Sequence, residues 1–172
     1  MERTAVLAIC GSLRADSVNR SLLSAVEASA PHLRFVGADL VAQLPLFNPD
    51  LDDPAVLPPV VRKFRLAAQA SRAAVIASPE YVHGPSGVTK NALDWLVGSL
   101  GIVGKPVLLL SASPGQTGGL RGIAGLIPTM QLLGCTLLDP VTVSRASVRL
   151  SPGGEVTDDA LAARIARRNG GT

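Results

Sequence analysis

The chain has few aromatic residues, two cysteines and no long run of like charge. Only 3% of its 172 residues are aromatic, whereas 47% are hydrophobic and 17% are charged. The core must therefore be built from aliphatic side chains and alanine, a composition typical of parallel sheets covered by helices on both faces. The length fits one domain spanning residues 1–172.

The scarcity of cysteine and of basic runs excludes several classes of protein. Cys10 and Cys135 are far apart in apolar surroundings, which predicts buried, reduced thiols and no metal site. The net charge is +3 and no basic run is longer than Arg167-Arg168, so nucleic-acid binding has little support. The apolar run near the N-terminus is too short for a signal peptide or a membrane span. We therefore expect a cytoplasmic protein without a membrane partner.

Apolar runs typical of strands alternate with stretches typical of helices. The predicted strands are 4–10, 33–39, 73–78, 106–112 and 135–143, and the predicted helices are 17–30, 54–71, 87–99, 119–133 and 157–168. This alternation predicts an open parallel α/β sheet with helices on both faces. Pro58-Pro59 should delay the second helix, and Pro128 should kink or split the fourth. Thr157 is the expected cap of the last helix, and residues 144–156 should form an exposed loop.

A polar turn, Gly-Ser-Leu-Arg-Ala-Asp-Ser-Val-Asn, follows the first predicted strand at residues 11–19. A turn that opens a helix offers N–H groups and the positive end of the helix dipole to an anion. Ser12, Ser17 and Asn19 add neutral donors, and the guanidinium of Arg14 matches phosphate oxygens in pairs. The Walker A and dinucleotide glycine patterns are both absent from this turn. It predicts a phosphate site of another kind, and the alternative is a hydroxyl-rich helix cap beside a surface arginine.

Two further loops should meet this turn. Ligands of open α/β sheets bind at the carboxyl ends of the strands, where the strand order reverses. The loop at 78–87 carries two prolines and two glycines, and the loop at 112–119 carries three glycines. Glycines let a backbone approach a flat ligand closely. Together the three loops predict a planar, phosphorylated ligand, and flavin mononucleotide (FMN) has that shape.

Five sequence segments occur in order along the chain. They are Gly-Ser-Leu-Arg with Ser-Val-Asn at 11–19, Leu-Pro-Leu-Phe-Asn-Pro-Asp at 44–50, Ser-Pro-Glu-Tyr at 78–81, Lys-Asn-Ala-Leu-Asp-Trp at 90–95 and Gly-Gly-Leu-Arg at 118–121. Together they resemble the NADPH-dependent FMN reductase family, which includes quinone, chromate and azo-dye reductases. The likeness covers about residues 4–143. It implies a flavodoxin-like fold with five parallel strands in the order 2-1-3-4-5, and a homodimer or homotetramer.

The resemblance also implies the cofactors and the residues that hold them. FMN would be bound, with NADPH or NADH as co-substrate. The phosphate would be held by Ser12, Arg14, Ser17 and Asn19. The isoalloxazine would be bordered by Pro79, Glu80 and Tyr81, mainly through backbone, and by Ser113 and Gly115. Tyr81 could equally pack its own loop. No catalytic residue is predicted, although His83 is a candidate proton donor whose alternative is a polar surface role.

The reaction implied is hydride transfer from a nicotinamide to FMN, and then electron transfer to a second small molecule in ping-pong order. That acceptor would be a quinone, an azo dye, chromate or free flavin. An electron carrier of the flavodoxin type and a flavin-dependent partner or sensor protein without turnover are the alternatives. The acceptor, the preferred nicotinamide and the choice between dimer and tetramer stay open at this point.

The sequence departs from the family pattern in three places. Val82 follows Pro-Glu-Tyr where the family usually has Asn, and Thr89 precedes Lys-Asn where Leu is usual. Residues 122–128 read Gly-Ile-Ala-Gly-Leu-Ile-Pro in place of a polar, Gln-bearing helix. The first departure concerns an isoalloxazine contact, and the last concerns the oligomer interface and the substrate pocket.

Overall fold

A computed structural model describes residues 3–151 and 154–163. The strands are β1 (Thr4–Cys10), β2 (Leu33–Val36), β3 (Ala73–Ala77), β4 (Glu80–Tyr81), β5 (Gly84–Pro85), β6 (Pro106–Ala112), β7 (Thr136–Leu137) and β8 (Val141–Val143). The helices are α1 (Val18–Ser29), α2 (Ala38–Val41), α3 (Pro59–Ala70), α4 (Gly87–Val97) and α5 (Leu120–Leu132), with 3₁₀ turns at Pro49–Leu51 and Ala146–Val148. Residues 159–163 are the described part of a last helix.

The main sheet is parallel and has the order β2-β1-β3-β6, with β7 and β8 pairing in succession along the outer side of β6. With β7 and β8 counted as one interrupted strand, this is the predicted order 2-1-3-4-5, so the flavodoxin-like fold is confirmed. Strands β4 and β5 form a separate antiparallel hairpin. The hairpin was not predicted, because two-residue strands carry no periodic pattern.

Alternate side chains of the central strands enter two cores on opposite faces of the sheet. Leu7 and Ile9 pack on the side of α3, α4 and α5. Val6 and Ala8 pack on the side of α1. Both cores are mainly aliphatic, as the composition predicted. Strands that are buried on both faces read as continuous apolar runs, which is why the bounds of β1 were predicted correctly.

The first core contains the chain's one tryptophan, Trp95 of α4, which is fully buried. Its indole N–H donates to the carbonyl oxygen of Pro45 at 2.8 Å. The ring of Phe47 meets it edge to face, with 4.9 Å between the ring centroids. These contacts fasten the segment after α2 onto α4, and they satisfy the polar atom that a buried indole brings with it.

Several predicted boundaries were wrong for identifiable reasons. The strand predicted over 33–39 ends at Val36, because Gly37 takes a φ of 96° and turns the chain into α2. The strand predicted over 135–143 is interrupted before Val141, where Pro140 supplies no N–H to a ladder. Pro58-Pro59 were expected to confine the second helix to the residues after them, but α3 begins at Pro59 itself, because proline fits the first position of a helix. Helix α5 runs on through Pro128 and does not split.

The C-terminal part also differs from expectation. Ala146 is buried, and Leu150 bridges Val156, so residues 144–156 are not simply an exposed loop. Asp158 caps the last helix, its Oδ1 accepting the N–H of Leu161 at 2.8 Å. The Thr157 hydroxyl donates instead to the carbonyl oxygen of Val148. The predicted stretch of that helix beyond residue 163 lies outside the described residues.

The two cysteines are free thiols. Cys10 is buried, as predicted, whereas Cys135 is only partly buried. Burial raises the pKa of the Cys135 thiol, which keeps it protonated and unreactive at neutral pH.

Candidate functional site

A cavity of about 320 Å³ lies at the carboxyl ends of β1, β3 and β6, where the three unusual loops converge. Eight of the nine residues predicted to bind the cofactor line it, and the exception is Gly115. The lining also includes Asp16, Val18, Ala112, Pro114 and Ser147, which the sequence did not single out. Asp16 lies inside the predicted turn and could have been found. Ser147 comes from the 144–156 segment, and no local pattern brings that segment to the cavity.

The two serines of the first turn keep their hydroxyl protons available. Ser17 is the N-cap of α1, and its Oγ accepts the N–H of Arg20 at 3.3 Å. The Oγ of Ser12 accepts the N–H of Arg14 at 3.4 Å. Both hydroxyls act as acceptors in these contacts, so each can still donate its proton into the cavity. Helix capping and anion binding are thus compatible roles for Ser17.

Arg14 stands at the rim of the cavity with its side chain exposed. Its guanidinium makes no hydrogen bond or ion pair with any residue that the structure describes. A cation without a partner beside a helix N-terminus favours an anionic ligand. Asp16 lies in the same wall and carries the opposite charge.

Asn19 is used differently from the serines. Its Nδ2 donates to the carbonyl oxygen of Ala112, and its Oδ1 accepts the N–H of the same residue, both at 2.9 Å. The side chain is 2% exposed. This paired contact fixes the first turn of α1 to the end of β6, so Asn19 positions two of the three cavity walls relative to each other.

A buried group of hydroxyls, Ser78, Ser86 and Thr89, joins the turn after β1 to the loop after β3. The Oγ1 of Thr89 lies 2.9 Å from the Oγ of Ser78 and 2.9 Å from the Oγ of Ser86. Ser86 donates to the carbonyl oxygen of Gly11 at 2.7 Å, and Ser78 donates to that of Pro79 at 3.2 Å. The hydroxyl protons of Ser78 and Ser86 are both donated to backbone carbonyls. Thr89 has one hydroxyl proton, so it can donate to only one of these two serines at a time. The departure at Thr89 is therefore a part of the polar support beneath the cavity.

This support leaves no room for a side chain at Gly11. A Cβ on Gly11 would lie 1.9 Å from the Oγ1 of Thr89 and 2.8 Å from the Oγ of Ser86. Glycine is required here for close packing within the protein. The same is true of Gly119, whose Cβ would lie 1.9 Å from the Oγ of Ser111, and whose φ is 82°. Gly119 therefore allows close packing against Ser111, whereas the sequence had suggested close approach to a ligand.

The β4–β5 hairpin is tied to the start of α5 by one carboxylate. The Oε2 of Glu80 accepts the N–H groups of Arg121 and Gly122 at 3.0 and 3.3 Å. Burial acts to raise the pKa of Glu80, but the hydrogen bonds from His83 and from these two N–H groups outweigh it and lower the pKa. Glu80 is therefore ionised at neutral pH and caps the helix, in the position that favours a negative charge.

His83, the candidate proton donor, lies outside the cavity lining, and its side chain is 72% exposed. Its Nδ1 lies 3.3 Å from the Oε1 of Glu80 and 2.9 Å from an Nη of Arg121. A single ring nitrogen cannot donate to the carboxylate and accept from the guanidinium at once. The tautomer of His83 thus selects which of the two partners Nδ1 binds.

The hairpin turn itself is strained at Val82. Val82 and His83 have φ values of 51° and 60°, so both central residues are left-handed, as in a type I′ turn. Asn and Gly favour this conformation, whereas a β-branched residue is an outlier there. Val82 is also fully exposed. The Asn usual at this position in the family would fit the turn without strain.

The fold and the cavity define a class of protein, a flavodoxin-like α/β protein with a cavity at the carboxyl edge of its sheet. Residues 4–148 match the family described as NADPH-dependent FMN reductase. The chain belongs to this family. It is therefore an oxidoreductase of the class that uses FMN and a reduced nicotinamide.

Individual relatives agree with this membership. The chain is 35% identical to the NAD(P)H-dependent FMN reductase PA1204 of Pseudomonas aeruginosa, over 90% of this chain and 85% of that protein. It is 32% identical to the quinone reductase of Escherichia coli K12, over 70% of this chain and 65% of that protein. The structure of the flavoenzyme NAD(P)H:(acceptor) oxidoreductase FerB from Paracoccus denitrificans is similar, with a TM-score of 0.85 and 27% identity, over 96% of this chain and 93% of FerB.

Within the described ranges, no helix is both long and apolar enough to cross a bilayer.

Proposed function

We propose that the protein is an FMN-dependent NAD(P)H oxidoreductase that passes electrons from a nicotinamide to a small acceptor in ping-pong order. The observation that carries the proposal is the unpartnered Arg14 beside the N-terminus of α1, on a cavity that the 79–81 segment also lines. When bound, FMN supplies the hydride-accepting and electron-donating chemistry, so the chain needs no nucleophile of its own.

The first turn suits the phosphate end of FMN. The guanidinium of Arg14 would form charge-assisted hydrogen bonds with the phosphate oxygens, and the hydroxyls of Ser12 and Ser17 would donate to the remaining ones. Asn19 would contribute by holding α1 in place through Ala112. Asp16 disfavours a second negative charge on the same side, which directs the phosphate toward Arg14.

The opposite wall suits a flat ring. Pro79, Glu80 and Tyr81 line the cavity next to one another, and Ser113 borders it from the end of β6. The Glu80 carboxylate is committed to the N–H groups of α5, so this segment would meet the ring mainly through its backbone. Gly115 would act indirectly, because its N–H donates to the Oγ of Ser113 at 3.1 Å.

The acceptor proposed is a quinone, with azo dyes, chromate and free flavin as further acceptors of the same pocket. The FMN reductase and quinone reductase names of the relatives support this choice. We propose further that the chain acts in the cytoplasm as a homodimer or homotetramer. The family resemblance is the basis for this assembly, and Leu46 and Leu132, which are 85% and 82% exposed, are candidate contacts between subunits.

Anaerobic titration of the FMN-reconstituted protein tests the proposal. NADPH or NADH should bleach the flavin absorbance, and addition of a quinone should restore it without further nicotinamide. Reduction by dithionite but by neither nicotinamide would establish an electron carrier in place of an enzyme. Retention of flavin with no reaction toward a quinone, a dye or chromate would favour a partner or sensor protein.

A further inference from the structure

The opposite edge of the sheet, where the strands begin, carries three arginines around one alanine. Arg34 of β2 is paired with Ala5 of β1. On the other side of β1, the N–H of Arg72 donates to the carbonyl oxygen of Ala5 at 2.8 Å. Residues opposite each other on paired strands point to the same face of the sheet, so Arg34 and Arg72 share the face of Ala5. Arg3 lies two positions before Ala5 and therefore points to that face as well.

These side chains form a cavity of about 330 Å³ whose lining also includes Thr4 and Ala70. The small side chain of Ala5 leaves space between Arg34 and Arg72, whose strands lie about 10 Å apart. The lining contains no carboxylate, and none of the three guanidinium groups has an ion pair or hydrogen bond within residues 3–151 and 154–163. Three like charges are thus gathered in one place, and no acidic side chain of the described residues is paired with them.

The end of helix α3 does not account for the arginines. Cations often gather at a helix C-terminus because they satisfy its last carbonyl groups. Here that role belongs to Lys105, whose Nζ donates to the carbonyl oxygens of Ala68 and Gln69 at 2.7 and 3.1 Å. Burial, and then the charge of Arg72, lower the pKa of Lys105. The local potential is therefore positive even where a cation has found partners.

We propose that Arg3, Arg34 and Arg72 form a second anion site, which takes a small ligand bearing a diphosphate group. Guanidinium groups match phosphate oxygens in pairs, and three of them around one small depression favour a compact anion with more than one negative charge. The site is separate from the cavity assigned to FMN, because five residues of β1 lie between Ala5 and Gly11, a span of six residue steps or about 20 Å.

Calorimetric titration of the FMN-loaded protein with inorganic pyrophosphate at low salt tests this site. Loading with FMN keeps pyrophosphate out of the phosphate site proposed at Arg14. The flavin-free Arg14→Ala protein, in which that site is weakened, serves as a second test protein that needs no flavin. Arg34→Ala and Arg72→Ala should each weaken binding by about tenfold, as loss of one charge-assisted contact does. The triple variant with Arg3→Ala should abolish it. ADP as a second titrant distinguishes a nucleotide from a free diphosphate.

Lys63→Ala is the matched control, since it removes one exposed positive charge from α3 outside the cavity and should leave the affinity unchanged. Unfolding curves of all variants show that the exposed substitutions leave the fold intact. Equal affinity in the wild type and the triple variant would overturn the proposal. So would the absence of binding at millimolar pyrophosphate, or binding that FMN abolishes.

Discussion

The two edges of the sheet treat their polar groups in opposite ways. At the carboxyl edge, Ser78, Ser86 and Thr89 are buried and hydrogen-bonded to one another and to backbone. At the amino edge, Arg34 and Arg72 are exposed and find no partner in the described chain. The first edge is therefore held in shape before any ligand arrives, which lowers the entropic cost of binding. At the second edge a ligand would itself have to order the arginines.

Filling the space at Gly11 should break the ordered edge most severely. Gly11→Ala places a methyl group on the hydroxyls of Thr89 and Ser86, so those side chains must move and lose their contacts. We expect the free energy of unfolding to fall by about 2–4 kcal/mol, and FMN binding to be lost at micromolar concentrations. Chemical denaturation and flavin fluorescence titration measure the two effects.

Gly87→Ala is the control for this variant, because nothing lies within 4 Å of a Cβ at that position. It should leave stability and FMN affinity nearly unchanged. The double variant Gly11→Ala/Thr89→Ala should recover part of the lost stability. A Gly11→Ala protein as stable as the wild type would show that the turn can shift to make room for a side chain at this position.

Removing the guanidinium of Arg14 from the rim of the cavity should be the next largest effect. Arg14→Ala should raise the dissociation constant for FMN by roughly 10- to 100-fold, because charge-assisted hydrogen bonds to the phosphate are lost. The rate of flavin reduction at saturating FMN should barely change. Arg14→Lys should recover only part of the affinity, since a point charge cannot reproduce the guanidinium fork.

Titration with riboflavin, which lacks the phosphate, separates this role from a general effect on the fold. The wild type should prefer FMN strongly, and Arg14→Ala should lose much of the preference. Equal preference in both proteins would mean that Arg14 does not contact the phosphate.

Loss of a single hydroxyl should loosen the ordered edge more mildly. Thr89→Val keeps the shape of the side chain but leaves the Oγ atoms of Ser78 and Ser86 without their shared neighbour. We expect a cost of about 1–2 kcal/mol in unfolding free energy and a several-fold weaker affinity for FMN. Thr89→Ser keeps the hydroxyl and should stay close to the wild type in affinity. Weakening in Thr89→Ser without weakening in Thr89→Val would assign the effect to the methyl group and not to the hydroxyl.

At the amino edge the corresponding change should affect stability alone. Lys105→Met removes the ammonium from the carbonyl oxygens of Ala68 and Gln69, which should cost about 0.5–1 kcal/mol. FMN affinity should not change, because the site lies at the other end of the strands. Thermal unfolding with and without FMN checks both statements, and a weakened FMN affinity would show that the two edges are coupled.

The smallest expected effect is the contribution of the Glu80 carboxylate to stability, which should depend on pH. Because the pKa of Glu80 is lowered below its ordinary value of 4.5, its ionised form stabilises the fold above that value, and this contribution is lost as the pH falls through the lowered pKa. Glu80→Gln should therefore be slightly less stable than the wild type at pH 7, and the difference should vanish in acid. Unfolding curves across this range decide it, and a constant difference would exclude the carboxylate as its source.

The sequence predicted the fold better than the support of the site. The apolar run before Gly11 and the polar turn after it sufficed to place β1, α1 and one cavity wall. The turn at Gly37 and the break at Pro140 are also marked locally, by a glycine and a proline. These features depend on neighbours in the chain, and local sequence records them.

The contacts between distant segments could not be predicted. Thr89 belongs to α4, and its hydroxyl matters because α4 brings it to the turn after β1. Ser147 reaches the cavity for the same kind of reason. Glu80 was placed at the site, but its role as a cap of α5 depends on how the hairpin packs. Such contacts follow from the topology as a whole, since each joins residues tens of positions apart.

The burial of Trp95 has a practical consequence for every experiment above. Since the chain has one tryptophan, its fluorescence comes from a single known position, on the buried side of α4 and against the ring of Phe47. A dry, packed indole emits at short wavelength and shifts to the red when water reaches it. The emission of Trp95 therefore reports opening of the same core in each variant, without any label.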